Sequence, residues 1–282
     1  MMVVSRAGRV AAAGRALLAA ALGIVWLLPF VGVIMTSLRP YAEVVNGWWQ
    51  AHPFHVSLTN YVYVLSGISI PLGRPLLNSF FTSVLGAAFP TLFGSMAAYA
   101  FARHRIPAKT GITVLLLCLM AVPGQMIANP AFRTINAIGL LDTYWAVILM
   151  NTVTALPWIL FFMMNVIKMQ DVAIEEAARI DGASDYWVYR SIVMPQSGPS
   201  LVSVMLLQFV WSWNSFFWPL ILVYAPKKLM ATQVIPMLLG QFYQNWGALT
   251  AAVVLVMAIP VTLFLVFQKA YIQGSVGFVS EK

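Results

Sequence analysis

The chain has 282 residues, of which 61% are hydrophobic and 9% are charged. Because a soluble domain has about 25% charged residues, this composition predicts an integral membrane protein and argues against a soluble one. The net charge of +8 is not accompanied by a basic stripe with interleaved aromatic residues, so it reflects membrane topology better than nucleic-acid binding. The single cysteine, Cys118, excludes an internal disulfide and a cysteine-based metal site.

The N-terminal segment, residues 1–15, contains three arginines and no acidic residue. Residues 16–38 are uncharged and are long enough to span a bilayer as a helix. A cleavable signal peptide is the alternative interpretation, but its apolar core would be shorter, and no clear small-x-small cleavage site follows. We therefore predict a first membrane span.

The loop of residues 39–76 contains His52 and His55, whose spacing could suggest a metal site, but no third ligand accompanies them. Five further apolar runs predict five more spans, at residues 75–102, 110–129, 143–167, from about 199 towards 226, and 246–268. Gly86 and Gly94 in the second span favour close helix packing. The fold class predicted is thus an all-α integral membrane protein with six transmembrane helices.

Between the fourth and fifth spans lies a loop of residues 168–195, called the charged loop below, which holds five of the chain's eight acidic residues. Each charge at a bilayer centre costs about 3 kcal/mol, so this loop is predicted to lie in water. Its pattern predicts a helix, a break and a second short helix. Asp171 can cap the first helix, and Gly182 can end it in a left-handed turn. Glu175 and Arg179 form an i,i+4 pair.

Within the charged loop, a run of small and acidic residues matches a known motif: Glu176, Ala177, Ala178, Asp181, Gly182 and Ala183, followed by Pro195. This run resembles the EAA loop of ABC-importer permease subunits. The resemblance implies a type I ABC importer fold, with a cytoplasmic coupling helix that docks into a cleft on an ATPase subunit. The predicted ATPase-docking residues are the six residues from Glu176 to Ala183 named above, together with Glu175. In this role Glu176 would pair with a basic group, Ala177 and Ala178 would permit close packing, and Gly182 would make the turn.

A second informative stretch, residues 208–220, lies in the predicted fifth span. A helix starting near residue 199 would place Trp213 about 21 Å along it, so Trp211 and Asn214 would lie within the hydrocarbon zone. Trp218 would belong to the outer aromatic belt. Amides with aromatic rings suit a neutral, hydroxyl-rich ligand such as a sugar. Gln208, Trp211, Ser215 and Trp218 lie near one face of this helix, and Asn214 is adjacent to it. The predicted substrate-pathway residues are Gln208, Trp211, Asn214 and Ser215. Packing between helices is an equally good account of Asn214, and it is the favoured interpretation of Trp213.

This stretch also carries a resemblance, through Trp213-Asn214 followed by Pro219-Leu220. It resembles the signature of maltose-type carbohydrate-importer permeases, specifically the second of their two permease subunits. The resemblance covers about residues 15–275 and divides the chain into a cytoplasmic segment (1–15), a permease domain (16–269) and a cytoplasmic tail (270–282). In that family most sugar contacts lie on the other permease subunit. The tail's last residues, from 276 onwards, depart from the family's usual Gly/Lys-rich ending.

The distribution of basic residues predicts the orientation of the chain. Six spans put both termini on one side together with the charged loop, and eleven of the 16 Lys and Arg residues lie on that side. The positive-inside rule therefore predicts that both termini and the charged loop are cytoplasmic, as in a multi-pass protein of the bacterial inner membrane.

No Gly-rich phosphate-binding loop and no catalytic set occur in the sequence, so we predict that the chain is not an enzyme and binds no cofactor itself. The predicted spans also lack the ionisable residues that a secondary transporter usually needs. The resemblance implies a permease subunit of an ATP-driven sugar importer. Its partners would be an ABC ATPase dimer carrying ATP and Mg²⁺, a second permease subunit, an extracytoplasmic solute-binding protein and the lipid bilayer, with no nucleic acid. Alternatives are an importer for glycerol phosphate or a glycerophosphodiester, a stand-alone secondary transporter, and a membrane enzyme.

Overall fold

The computed structural model describes residues 6–45, 47–49, 54–67, 69–239 and 245–276, and the regular elements within these ranges are helices. The α-helices are, in chain order, α1 (Arg6–Ser37), α2 (Tyr41–Val44), α3 (Thr59–Val62), α4 (Gly73–Arg103), α5 (Lys109–Ala121), α6 (Ala128–Ala137), α7 (Tyr144–Lys168), α8 (Val172–Ile180), α9 (Asp185–Val188), α10 (Met194–Gln196), α11 (Gly198–Trp213), α12 (Phe217–Leu222), α13 (Ala231–Met237) and α14 (Trp246–Val276). Short π-helices at Tyr63–Gly67 and Tyr189–Val193 and 3-10 turns at Gly124–Ile127 and Pro226–Lys228 complete the set. The all-α prediction is confirmed.

Four stretches of helix are long and apolar enough to cross a membrane: Gly14–Ser37, Gly73–Arg103, Tyr144–Lys168 and Trp246–Gly274. Two bent pairs pass the same test together, and they are Lys109–Ala121 with Gly124–Ala137, bent by 97°, and Asp185–Gln196 with Gly198–Trp213, bent by 81°. The described part of the chain therefore has four spans, or the predicted six when each bent pair counts as one.

The third span differs from the prediction, which placed its end near residue 129. α5 already ends at Ala121, and the chain turns through Val122 and Pro123 before α6 leaves in a different direction. Pro123 has no N–H for a helical hydrogen bond, and it disfavours a helical conformation at Val122. The break therefore begins at this proline.

The chain divides into two compact units, of which the first comprises Met1–Pro71 and Met237–Leu255. Within this unit, Asn60 holds the end of α1. Its Nδ2 group donates to the carbonyl oxygens of Ser37, at 3.0 Å, and Arg39, at 2.8 Å. Because the last carbonyls of a helix lack intrahelical partners, these hydrogen bonds stabilise the position at which α1 stops.

Of the two loop histidines, His55 pairs through its ring with the Glu43 carboxylate, and His52 lies outside the described residues. Within the described ranges, no group of three or more His, Cys, Asp and Glu side chains is arranged to hold a metal ion.

The second unit comprises Leu72–Pro236 and Val256–Lys282, and its centre is formed by α4, α7 and α11. Glycines on α4 allow the helices to approach closely. A Cβ atom placed on Gly94 would lie 2.7 Å from Cγ2 of Ile159, and one placed on Gly86 would lie 2.6 Å from Oγ of Ser212. The predicted packing role of both glycines is confirmed.

A buried apolar cluster joins the charged loop to these spans. Its members come from α4, α7, the second half of the charged loop and the start of α11: Ala98, Tyr99, Ala155, Ile159, Met163, Met164, Ile167, Val188, Tyr189, Val193 and Val204. Burial of each large apolar side chain away from water contributes about 1.5–3 kcal/mol. The loop is thus packed firmly against the bundle on one side.

At the other end of α7, Asp142 connects the loop before α7 to the loop after α12. Its Oδ1 atom accepts hydrogen bonds from the backbone N–H groups of Tyr224 and Ala225, both at 3.0 Å, and its Oδ2 atom lies 3.2 Å from Nζ of Lys228. Burial opposes the charged form, but the two backbone hydrogen bonds and Lys228 outweigh that effect and lower the pKa of Asp142. The ionised carboxylate is therefore the form that stabilises this contact between the loops.

We expect Asp142→Asn to lower the stability of the purified chain by about 1 kcal/mol at pH 7, because the partly exposed ion pair with Lys228 is lost. Asparagine tolerates the positive φ of 55° at this position, so backbone strain is not added. Because the pKa of Asp142 is lowered by folding, its contribution is present above the unfolded pKa of about 3.9 and is lost as the pH falls below it.

Thermal unfolding of the unmodified chain and of Asp142→Asn in detergent, from pH 7 down to pH 3, checks this expectation. The difference in stability between the unmodified chain and Asp142→Asn should become smaller in acid. Lys227→Gln removes a neighbouring charge, and its difference in stability from the unmodified chain should not become smaller in this way. A deficit of Asp142→Asn that is unchanged at pH 3 would contradict the account.

Candidate functional site

The charged loop has the predicted helix–break–helix conformation. Asp171 caps α8, since its Oδ1 atom accepts from the N–H of Ala173 at 3.0 Å. The helix ends at Ile180 and is followed by a turn at Gly182, whose φ of +89° is a conformation that L-residues rarely adopt. Ser184 then caps α9 by accepting from the N–H of Trp187 at 3.3 Å. Local capping chemistry therefore fixes the shape of the loop.

The two short helices line an open concave surface with a volume of about 470 Å³. Its lining residues are Ala178, Asp181, Gly182, Ala183, Ser184 and Trp187. Glu176 and Ala177 are exposed next to it, while Ala178 and Ala183 are half-buried. Small side chains leave this surface shallow and accessible, which suits the close approach of a complementary protein surface. Six of the seven predicted docking residues thus lie on it or beside it.

Glu175 is the exception, and its predicted place on the docking surface is wrong. Its residue is only 1% exposed, and its two carboxylate oxygens face inwards. Oε1 accepts from Nε of Arg103 at 2.8 Å, and Oε2 lies 3.3 Å from Nη2 of Arg179. The predicted i,i+4 pair with Arg179 is confirmed, but the pair points towards the bundle. A partner protein cannot reach this carboxylate.

The second guanidinium, that of Arg179, contacts both a span and the second short helix. Nη2 donates to the Tyr99 hydroxyl at 2.8 Å, and Nε donates to Oδ1 of Asp185 at 3.2 Å. Partial burial opposes its charge, but Asp185, Tyr99 and Glu175 outweigh this and raise the pKa of Arg179. Arg103 and Tyr99 are functional candidates that the sequence analysis missed, because their partners lie far away along the chain.

Gln208 was predicted to face a substrate pathway, but the structure places it inside the helix bundle. It is 3% exposed. Its Nε2 group donates to the carbonyl oxygen of Gly86 at 3.2 Å, and its Oε1 atom accepts from Nε1 of Trp158 at 3.1 Å. Both the donor and the acceptor of the amide are therefore used in hydrogen bonds between helices.

The predicted helical face does not continue to Ser215, because α11 ends at Trp213 and Asn214 caps it. Trp211 is 57% exposed, and its ring centroid lies 5.0 Å from that of Trp158, the residue that also donates to Gln208. Asn214 is exposed and donates back to the carbonyl oxygen of Val210 at 2.9 Å. Ser215 is half-buried, and its carbonyl accepts from Thr232. Trp211 and Asn214 remain accessible, whereas Trp213 is 2% exposed and stacks on Phe209.

Comparison with known proteins identifies the family. Residues 90–275 match the family model described as a binding-protein-dependent transport system inner membrane component. The chain belongs to this family. Membership of this permease family confirms the identification made from the EAA motif. Together with the apolar helices, it also confirms the prediction of an integral membrane protein.

Individual relatives extend along nearly the whole permease. A probable ABC transporter permease protein of Pyrococcus horikoshii is 42% identical and covers 94% of this chain and 96% of its own. An osmoprotective compounds uptake permease of Synechocystis is 31% identical, covering 89% and 86%. An alpha-glucoside transport system permease of Rhizobium meliloti is 32% identical, covering 79% of this permease and 60% of its own chain.

The structure of a bacterial ABC transporter that imports the acidic polysaccharide alginate is similar in fold. Its matching chain aligns with a TM-score of 0.78 at 23% identity, covering 95% of this permease and 99% of that chain. The helical arrangement is therefore that of a type I ABC importer permease, as predicted.

Proposed function

We propose that this chain is the membrane-spanning permease subunit of an ATP-driven, binding-protein-dependent importer for a sugar or an oligosaccharide. The observation that carries the proposal is the charged loop, which presents a concave surface of small residues outside the apolar spans. The relative named for alpha-glucoside transport supports a carbohydrate substrate.

In this proposal the energy comes from a separate ABC ATPase dimer, which binds ATP and Mg²⁺. Glu176 pairs with a basic group of the ATPase, Ala177 and Ala178 allow its surface to approach, and Gly182 shapes the turn between the two short helices. Glu175 takes no part in this contact, because its carboxylate is buried. Closure and opening of the ATPase pull on the loop and switch the spans between outward-open and inward-open states.

The remaining partners are a second permease subunit and an extracytoplasmic solute-binding protein, and the description of the family as binding-protein-dependent supports the latter. In this proposal the charged loop and both termini lie on the cytoplasmic side of a bacterial inner membrane, and the distribution of basic residues supports this orientation. Trp211 and Asn214, both accessible, are the proposed contacts with the sugar path. An aromatic ring and an amide suit a neutral hydroxyl-rich ligand, and the apolar spans offer no central Lys or Arg for a phosphate.

Gentle solubilisation of the tagged chain from native membranes, followed by identification of the co-purifying proteins, tests this proposal. We expect an ATPase, a second permease and a solute-binding protein, and the ligand of the binding protein should be a sugar. A binding protein specific for glycerol phosphate would overturn the substrate class. Recovery of the chain alone as a stable self-oligomer, with transport independent of ATP, would overturn the proposal as a whole.

A further inference from the structure

Arg103, the last residue of α4, holds three elements together. Its Nε group donates to Oε1 of Glu175 at 2.8 Å, and its Nη2 group donates to the carbonyl oxygens of Ile167, at 2.7 Å, and Gln170, at 3.1 Å. The two carbonyls belong to the end of α7 and the residues after it, and Glu175 belongs to α8. One guanidinium therefore joins two spans to the charged loop.

A second set of contacts makes the same connection. Arg179 of α8 donates to the hydroxyl of Tyr99, which lies one helical turn before Arg103 on α4. It also pairs with Asp185 of α9, at 3.2 Å. Both short helices of the loop are thereby tied to α4, which is not adjacent to the loop along the chain.

The central ion pair is buried, since the side chain of Arg103 is 8% exposed and that of Glu175 is 2% exposed. Replacing a buried ion pair with apolar residues is often neutral or stabilising, so stability alone gives little reason for this pair. A planar guanidinium that donates in fixed directions does, however, define the orientation of its partners. The arrangement is therefore suited to holding the loop at a set angle against α4.

We propose that Arg103 is a positioning residue for transport, which fixes the charged loop to α4 so that movement of the loop is transmitted directly to that span. The inference rests on the proposed function, because it assumes that the loop receives force from an ATPase. α4 packs tightly on α7 at Gly94 and Ile159, so the loop, α4 and α7 move together. Without the guanidinium, the loop would follow the ATPase while α4 lagged behind.

The test uses the complete transporter reconstituted in liposomes and measures the number of ATP molecules hydrolysed for each sugar imported. Arg103→Lys keeps the charge but loses the planar fork, and we expect the ATP cost per sugar to rise about threefold or more. Arg105→Lys is the matched control, because Arg105 is exposed at the same end of the span, and its ratio should equal that of the unmodified transporter. An unchanged ratio in Arg103→Lys would overturn the proposal.

A double variant separates positioning from stability. Arg103→Met with Glu175→Leu removes the pair without leaving a buried charge, so the complex should assemble in normal amounts. We still expect a raised ATP cost per sugar. A normal ratio in this variant, or its failure to assemble with the ATPase, would assign the pair a structural role and contradict the proposal. Failure of the proposed function is distinguishable, because the unmodified complex would then show no ATP-dependent uptake at all.

Discussion

Replacing Gly182 with valine is expected to lower sugar uptake strongly while the chain still inserts into the membrane. The φ of +89° at this position strains a β-branched residue by about 1–3 kcal/mol. This strain lowers the population of the correctly shaped loop conformation by about five- to 150-fold. The turn lies outside the apolar spans, so insertion does not depend on it. Uptake by the reconstituted transporter, normalised to the amount of inserted chain, measures the effect.

Two substitutions serve as controls for this prediction. Gly182→Asn should keep a large part of the uptake, because asparagine tolerates the left-handed conformation. Gly139→Val carries a comparable strain at a φ of +73°, but at the opposite end of α7, so it should leave docking intact. Full uptake by Gly182→Val would show that the shape of the turn does not matter for coupling.

Gly94→Leu is expected to have the second largest effect, through loss of the folded bundle. A Cβ at this position would already lie 2.7 Å from Ile159, which is fully buried, so the larger side chain must push α4 away from α7. Overpacking of a core typically costs about 1–3 kcal/mol. The midpoint of thermal unfolding in detergent and the yield of assembled complex measure the loss.

Ile159→Ala offers a compensating change for this prediction. Because it empties the space that the new leucine side chain would need, combining it with Gly94→Leu should recover part of the lost stability. Gly111→Leu is the matched control, since a Cβ at Gly111 meets no atom within 4 Å, and it should be nearly neutral. Equal losses for Gly94→Leu and Gly111→Leu would contradict the assigned helix contact.

Much of the fold follows from local sequence features. Uncharged runs of sufficient length predict the spans because a charge is costly in lipid. Pro195 and Pro199 predict a start of the fifth helix near residue 199, and α11 begins at Gly198. The shape of the charged loop was equally predictable, since Asp171 and Gly182 act on their own neighbours along the chain.

The errors concern contacts between residues that are distant along the chain. Glu175 and Glu176 are adjacent residues of the same type, and the buried partner that distinguishes Glu175, Arg103, lies 72 residues away. Gln208 has a side chain of a type that often contacts a ligand, but it donates its hydrogen bond to the carbonyl oxygen of Gly86, 122 residues away. The end of α11 at Trp213 has no Gly or Pro signal before Pro219, so its continuation through Ser215 was a reasonable but wrong prediction.

Cross-linking from the charged loop tests the central claim most directly. Cys118 is replaced by serine, and a single cysteine is introduced at Ala177, which is exposed beside the concave surface, or at Gly139 as the control. Gly139 lies beyond the opposite end of α7, whose 25 residues span about 37 Å. The account predicts that position 177 links to the ATPase in the purified complex, with a yield that changes when ATP binds, and that position 139 does not. An ATPase that is present in the complex but links only to position 139, or to neither position, would contradict it.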